Sequence, residues 1–411
     1  MPGTDTPKAL SQALQLKFNK FVVIFFNLPL DKSHYISGFG LMRLPQRSAE
    51  STDIDTEQLN EMVDTFLQAG FTYFDTSWAY HNGGSETAIR ECLVKRHPRN
   101  RFLLASKLPT FAITKESEVE EIFQQQLDRC GVEYFDYYLL HNVNSMRYQQ
   151  IIRETHMFDY MKKWKETGKI KHIAFSFHDT ADALDQILTE HPEVEAVRIV
   201  VNYFDWNAYL VQSKACYDVI RKHGKQVIVM EPVKGGMLAK VPDAVQELLR
   251  AEHLDWSPAA WALRFAGSLD GVLAVLSGMS TLEQVKENVA TMQNMQPLTK
   301  QEQDILTETA RLYRGTGPAG NADFSSYKTI NSKGVSAAVI LDTYNSCMLQ
   351  PDPTFGAEHN YFSAEKAKHG LHKDDLCIPG EVILENGVNI TEFIHKAEEF
   401  LNEHSFFQYE F

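Results

Sequence analysis

RFLLASKLPTFAITKESEVEEIFQQQLDRCGVEYFDYYLLH, residues 101–141, reads as strand, helix and strand. Its ends, RFLLASK (101–107) and DYYLLH (136–141), are nearly continuous apolar runs, as expected of strands buried on both faces of a parallel sheet. The amphipathic stretch between them stops at Arg-Cys-Gly before Val132, with glycine where a helix end turns left-handed. The same grammar runs outward in both directions. Further strands are expected at YISGFGLMRL (35–44), FTYFDTS (71–77), KHIAFSF (171–177), AVRIVVNY (196–203), KQVIVMEP (225–232) and GVLAVLSG (271–278). QAG before Phe71, ETG before Lys169 and KHG before Lys225 repeat the glycine stop, and Ser257-Pro258 and Thr281 with Gln284 mark helix starts. Eight strands alternating with helices over about 250 residues predict an α/β fold, a (β/α)₈ TIM barrel. A doubly wound open sheet is disfavoured because no GxGxxG follows the first strand.

The boundaries follow from where the grammar holds. Residues 36–295 form the expected barrel, 1–35 an N-terminal extension and 296–411 a C-terminal, mostly helical appendage. Thr299 and Glu302 open a helix to about Arg314, 315–334 is rich in turn-forming residues, and a last helix is expected near Asn389 with Glu392. FVVIFFNLPL (21–30) is read as a strand lying against the fold rather than a signal segment, since Asn27 and Pro29 interrupt it. No apolar run approaches the roughly 18 residues that span a bilayer. The formal charge of −14 argues against nucleic acid or an anionic membrane as partner. Five scattered cysteines suggest a reducing compartment, and the cytoplasm is the expected location. No HxxxH or CxxC spacing offers a metal site, and Lys162, Lys163, Lys165, Lys169 and Lys171 read as a solvated face.

Chemistry in a barrel sits at the C-terminal ends of its strands. There the sequence places Asp75, Lys107 and His141 on three successive strands, with Tyr80 five residues beyond Asp75. Buried Asp and Lys are rare unless paired, so this set is improbable as packing. It suits carbonyl reduction by hydride. A phenol is a weak acid at neutral pH unless a neighbouring ammonium stabilises its phenolate. Tyr80 would then give the proton, Asp75 would hold Lys107, and His141 would donate to the carbonyl oxygen.

FDTSWAY (74–80), ASK (105–107) and LLH (139–141) resemble the Asp–Tyr–Lys–His tetrad segments of the aldo-keto reductases. The resemblance covers roughly 36–295 and implies an NAD(P)H-dependent oxidoreductase with a small-molecule carbonyl substrate. It implies that Asp75, Tyr80, Lys107 and His141 are catalytic and that NADPH is the cofactor, NADH being the alternative. GFGLM (38–42), with Gly40 and Met42, resembles the segment beside the nicotinamide, and Ser176 of FSFHD (175–179) the carboxamide contact. VMEPVKGG (229–236), with Glu231, Pro232, Val233 and Gly235, resembles a segment around pyrophosphate and adenosine. So does VLSGMSTLEQVKEN (275–288), with Gly278, Met279, Ser280, Gln284 and Asn288. Three positions depart from the pattern: Phe177 replaces a common Asn, Arg198 stands where Gln often meets the carboxamide, and Gln284 where Arg often meets the 2′-phosphate. If Phe177 and Arg198 displaced the carboxamide, the chain would be a cofactor-binding regulatory or low-turnover protein instead.

The ending CIPGEVILENGVNITEFIHK resembles the bacterial subgroup with a ferredoxin-like tail. A [4Fe–4S] cluster needs four thiolates, and Cys347 and Cys377 are the only cysteines after 296. The tail is therefore read as degenerate, with no iron–sulfur cluster.

Overall fold

The computed structural model describes residues 37–404 except 49, 51, 294, 321–323, 351–360, 373–374 and 385–386. The readings of 1–35 and of 21–30 lie outside the described residues. Eight parallel strands close into a barrel in chain order. They are β1 (Ser37–Gly40), β2 (Tyr73–Asp75), β3 (Leu103–Pro109), β4 (Phe135–Val143), β5 (Ile170–Phe177), β6 (Ala196–Val200), β7 (Gln226–Met230) and β8 (Val272–Gly278). β1 is shorter than the run 35–44 suggested, because the chain leaves the sheet in a turn after Gly40.

Helices α1 (Thr56–Gln68), α2 (Gly84–Ile89), α3 (Ser117–Cys130), α4 (Met157–Glu166), α5 (Ala181–Glu190), α6 (Ser213–Lys222), α7 (Asp243–Glu252), α8 (Pro258–Gly267) and α9 (Leu282–Gln293) fill the connections. Gly131 caps α3 in the left-handed region at φ 68°, and Gly70, Gly168 and Gly224 adopt positive φ at their helix ends. Ser257 caps α8 by accepting from the Ala260 N–H. The box expected at Thr281 and Gln284 is half formed: Thr281 Oγ1 accepts from Gln284 N, but the Gln284 side chain turns to Ser280 N.

The barrel bore is filled by Tyr73, Ala105, Leu139, Ala174, Ala196, Ile228 and Leu276. Side chains two residues apart on a strand share a face. The next layer towards the C-terminal mouth is therefore Asp75, Lys107, His141, Ser176, Arg198, Met230 and Gly278. This offset is how the packing core dictates the site. Gly38 is needed below it, since a Cβ there would stand 2.4 Å from Leu276 Cδ2.

Beyond α9, a full capping box at Thr299 and Glu302 opens α10 (Lys300–Arg314). α11 (Ala337–Met348), α12 (Tyr361–Lys368) and α13 (Thr391–Glu403) build a further apolar cluster around Val335, Ile340, Phe362 and Ile394, against Tyr209 and Leu210 of the β6–α6 loop. α13 starts two residues after Asn389, whose Oδ1 accepts from Thr391 N. Arg314 donates to the Phe204 carbonyl at 2.6 Å and pairs with buried Asp342 at 3.3 Å, while Lys368 meets Asp179 at 2.8 Å. The C-terminal helices thus rest on the loops following β5 and β6. No helix among the described residues is long and apolar enough to cross a membrane. Lys162, Lys163, Lys165 and Lys169 each face a carboxylate, from Asp159, Glu120 or Glu195, and Lys171 falls within β5.

Candidate active site

The mouth of the barrel opens into a cavity of about 610 Å³. Asp75, Tyr80 and His141 line it together with Gly40, Met42, Ser176, Arg198, Glu231, Pro232, Val233, Gly235, Gly278, Met279, Ser280, Gln284 and Asn288. Of the residues expected to be catalytic or to bind the cofactor, Lys107 alone is absent from the wall. It lies beneath, fully buried, where its Nζ donates to Asp75 Oδ1 at 2.6 Å and to the Thr76 carbonyl at 2.5 Å.

Each of these side chains is positioned from below. Lys107 is fixed at its own backbone, because Gln126 on α3 donates to the Lys107 carbonyl. Tyr80 ends the β2 loop, and His81, Asn82 and Gly83 after it adopt φ of 52°, 52° and 88°. Successive left-handed residues make a tight turn, which Asn and Gly tolerate better than most. His81 Nε2 accepts from Leu44 N at 3.0 Å and ties that turn to the β1 loop. The Tyr80 ring packs with its centroid 4.5 Å from Lys107 Nζ and 6.0 Å from the His141 ring.

Arg198 belongs to this cluster. Its Nη1 donates to Asp75 Oδ1 at 3.0 Å and to Tyr80 Oη at 3.4 Å. Burial disfavours the guanidinium charge, but Asp75 and Tyr80 outweigh it and hold the group more firmly protonated than usual. One carboxylate thus faces two cations. His141 responds in the opposite sense: burial first, then the charges of Lys107, Arg198, His178 and Arg147, push its pKa well below the ordinary value, so the imidazole is neutral. Its Nδ1 lies 3.1 Å from Ser77 Oγ, and Phe111 packs edge-on against its ring.

Asn142 and Arg43 were not legible as site residues. Asn142 follows His141 at φ 60°, and this left-handed turn breaks the strand alternation so that consecutive residues line the cavity. Its N–H donates to Ser176 Oγ at 2.8 Å, while its Oδ1 is buried without a hydrogen-bond partner. Arg198 Nε is likewise buried and unpartnered. Arg43 also lines the wall, its stem 3.2 Å from where a Cβ on Gly278 would stand. Phe177, by contrast, faces away from this cavity and lines a separate one of about 110 Å³ under the C-terminal helices.

An orphaned donor and an orphaned acceptor in one cavity are what a primary carboxamide requires, since it offers a carbonyl oxygen and an amide N–H. The residues present therefore fit a nicotinamide. Nothing comparable exists for iron: among the described residues no group of three or more His, Cys, Asp or Glu could hold a metal ion. Burial pushes the thiols of Cys347 and Cys377 up to about 12.

Comparison with known proteins agrees with this fold. The model of the Aldo/keto reductase family matches residues 38–311. An aldo-keto reductase of Mycobacterium avium is 28% identical over 256 residues, covering 62% of this chain and 79% of the relative. The NADH-specific methylglyoxal reductase of Escherichia coli is 23% identical over 305 residues, covering 62% and 89%. Among solved structures, a holo aldo-keto reductase from Bacillus halodurans superposes with a TM-score of 0.54 at 23% identity, covering 66% of this chain and 91% of its own. One from Klebsiella pneumoniae in complex with NADPH gives 0.53 at 20% identity, covering 67% and 90%. At these identities the structures speak for the fold.

Proposed function

The chain belongs to the aldo/keto reductase family, and from that premise we propose that it reduces the carbonyl group of a small aldehyde or ketone to an alcohol using a reduced nicotinamide cofactor. One observation carries this reading. Asp75, Lys107 and Tyr80 form a buried charged cluster whose phenol borders the cavity beside His141. When bound, the nicotinamide supplies a hydride. The substrate's C=O π bond opens towards oxygen as carbon takes that hydrogen with its electron pair, and Tyr80 Oη gives its proton to the oxygen. Lys107 stabilises the phenolate left behind until solvent returns a proton, and Asp75 holds the ammonium in place. Neutral His141, in the tautomer in which its Nδ1 accepts from Ser77 Oγ–H, carries its hydrogen on Nε2 and donates it to the carbonyl oxygen.

Asn142 Oδ1, Arg198 Nε and Ser176 would hold the carboxamide, and the walls from Glu231 to Gly235 and from Gly278 to Asn288 the remainder of the cofactor. NADPH is preferred over NADH because Arg43 brings a cation to the wall beside Gly278, although Gln284 offers the extra phosphate only a neutral amide. We place the reaction in the barrel of residues 36–295, in the cytoplasm, with 296–411 as a degenerate, cluster-free helical tail. The test is a tryptophan-fluorescence titration with NADPH and NADH, then an aldehyde panel followed by nicotinamide absorbance. Cofactor binding with no turnover on any aldehyde or ketone would instead support a binding or regulatory protein.

A further inference from the structure

β6 and β2 lie four strands apart in a closed ring of eight, on opposite sides of the bore. A side chain on β6 that touches β2 must therefore cross the barrel. Arg198 does so: from its register position opposite Ser176 on β5 and Ile228 on β7, it reaches Asp75 Oδ1 at 3.0 Å and Tyr80 Oη at 3.4 Å. The layer below makes room for it with Ala105, Ala174 and Ala196. A Gln at this position is shorter by the whole outer half of the guanidinium and ends before the phenol.

The crossing leaves the guanidinium with two working edges. Nη1 is committed to Asp75 and Tyr80, while Nε is buried, without a partner, on a side chain that lines the cavity. A buried, unpaired donor is costly unless a ligand takes it up. Asn142 Oδ1 is a complementary orphan on a residue lining the same cavity, as is Oδ2 of Asp75, whose Oδ1 already takes Nη1.

Building on the proposed function, in which Nε holds the carboxamide of the nicotinamide, we propose that Arg198 is also a catalytic residue: its Nη1 holds the reacting oxygen of Tyr80. One planar, rigid group then registers the source of the hydride against the source of the proton. It also makes Tyr80 the neighbour of two cations and one carboxylate, an excess of positive charge at the oxygen that becomes a phenolate. The departure from Gln at this position is thus a gain of function at the proton donor.

Two substitutions separate the roles. Arg198→Gln keeps a short N–H donor near the carboxamide and loses the cation at Tyr80. Arg198→Lys keeps a cation and loses Nε. With 4-nitrobenzaldehyde at saturating NADPH, the single-turnover rate of Arg198→Gln should fall about 10- to 100-fold, the scale of one hydrogen bond to a charged group, with NADPH affinity within about threefold of wild type. Arg198→Lys should show the reverse weighting: a smaller loss of rate than Arg198→Gln, and an NADPH Kd, by fluorescence quenching, at least about fivefold weaker. General structural damage would move both quantities in both variants. Folding should survive, because Asp75 retains Lys107 at 2.6 Å, and thermal melts will verify it. Tyr80→Phe run alongside distinguishes the two levels of the argument. If Tyr80→Phe is inactive while Arg198→Gln turns over at the wild-type rate, Arg198 does not act on the phenol and the inference is overturned. An unchanged Kd in Arg198→Lys overturns the carboxamide role. Wild-type turnover in Tyr80→Phe overturns the proposed function itself.

Discussion

Lys107→Met removes an ammonium that sits 2.6 Å from Asp75 Oδ1 and 4.5 Å from the Tyr80 ring centroid. At an effective dielectric constant of about 20, a unit charge at that distance favours a phenolate by about 4 kcal/mol. Only the charge already developed when the proton is in flight lowers the barrier. Half to all of that energy converts to about a 30- to 900-fold loss in the chemical step. Stability should suffer less than the loss of a buried ion pair usually implies. Removing one partner commonly costs about 3–5 kcal/mol because the other charge is stranded, but here Asp75 keeps Arg198 at 3.0 Å, so about 1–3 kcal/mol is expected. Single-turnover reduction of an aldehyde under saturating cofactor reads the first quantity and urea unfolding the second. Because Lys107 acts through Tyr80, the double variant with Tyr80→Phe should lose little more than Tyr80→Phe alone, itself down at least about 10²-fold. Additive losses, or wild-type turnover in Lys107→Met, would falsify the assignment of Lys107 to the proton transfer.

His141 is held neutral, with a folded pKa below its unfolded value of about 6.5, so the unfolded chain binds the extra proton. Its contribution to stability is complete above about pH 6.5 and is lost as pH falls below it, by at most about 1.4 kcal/mol per unit. His141→Gln should flatten the stability profile below pH 6.5, and an unchanged slope would locate the acid sensitivity elsewhere. Ser176→Ala should weaken NADPH binding, whereas His141→Ala should leave it within a few-fold; equal losses would mean that the cofactor and carbonyl subsites are not separate. Thr299→Ala removes the capping box of α10 and should cost about 1 kcal/mol in urea melts without changing NADPH affinity. Elemental analysis of anaerobically purified protein should find no stoichiometric iron, while about four irons per chain would contradict the reading of Cys347 and Cys377 as non-ligands.

The sequence was most legible where one periodicity served both packing and chemistry. Continuous apolar runs separated by glycine stops specify buried parallel strands, and counting two residues on from Tyr73, Ala105 and Leu139 lands on Asp75, Lys107 and His141. The same alternation explains why Phe177 does not line the barrel-mouth cavity: it is one residue from Ser176 and so belongs to the opposite face. Periodicity fails where the backbone departs from it. Asn142 lines the cavity because φ 60° rotates it out of the alternation, and an Asn after a strand-end His carries no mark of that turn.

Arg198 was expected on the cavity wall, but its reach was not legible, for a different reason. Its face was correct, and it stands in register beside Ser176. What no single strand reveals is reach across the bore, which depends on ring closure, on register and on how much space the layer beneath leaves open. The alanines at 105, 174 and 196 supply that space, and Asp75 supplies the charge that draws the guanidinium over. A long cation above small bore residues and opposite a strand-end carboxylate is thus a pattern that can be sought in a barrel sequence once its strands are numbered. In this chain it links Tyr80, the proposed proton donor on the β2 side, to the β5–β6 wall, where the cofactor's reacting ring is proposed to lie.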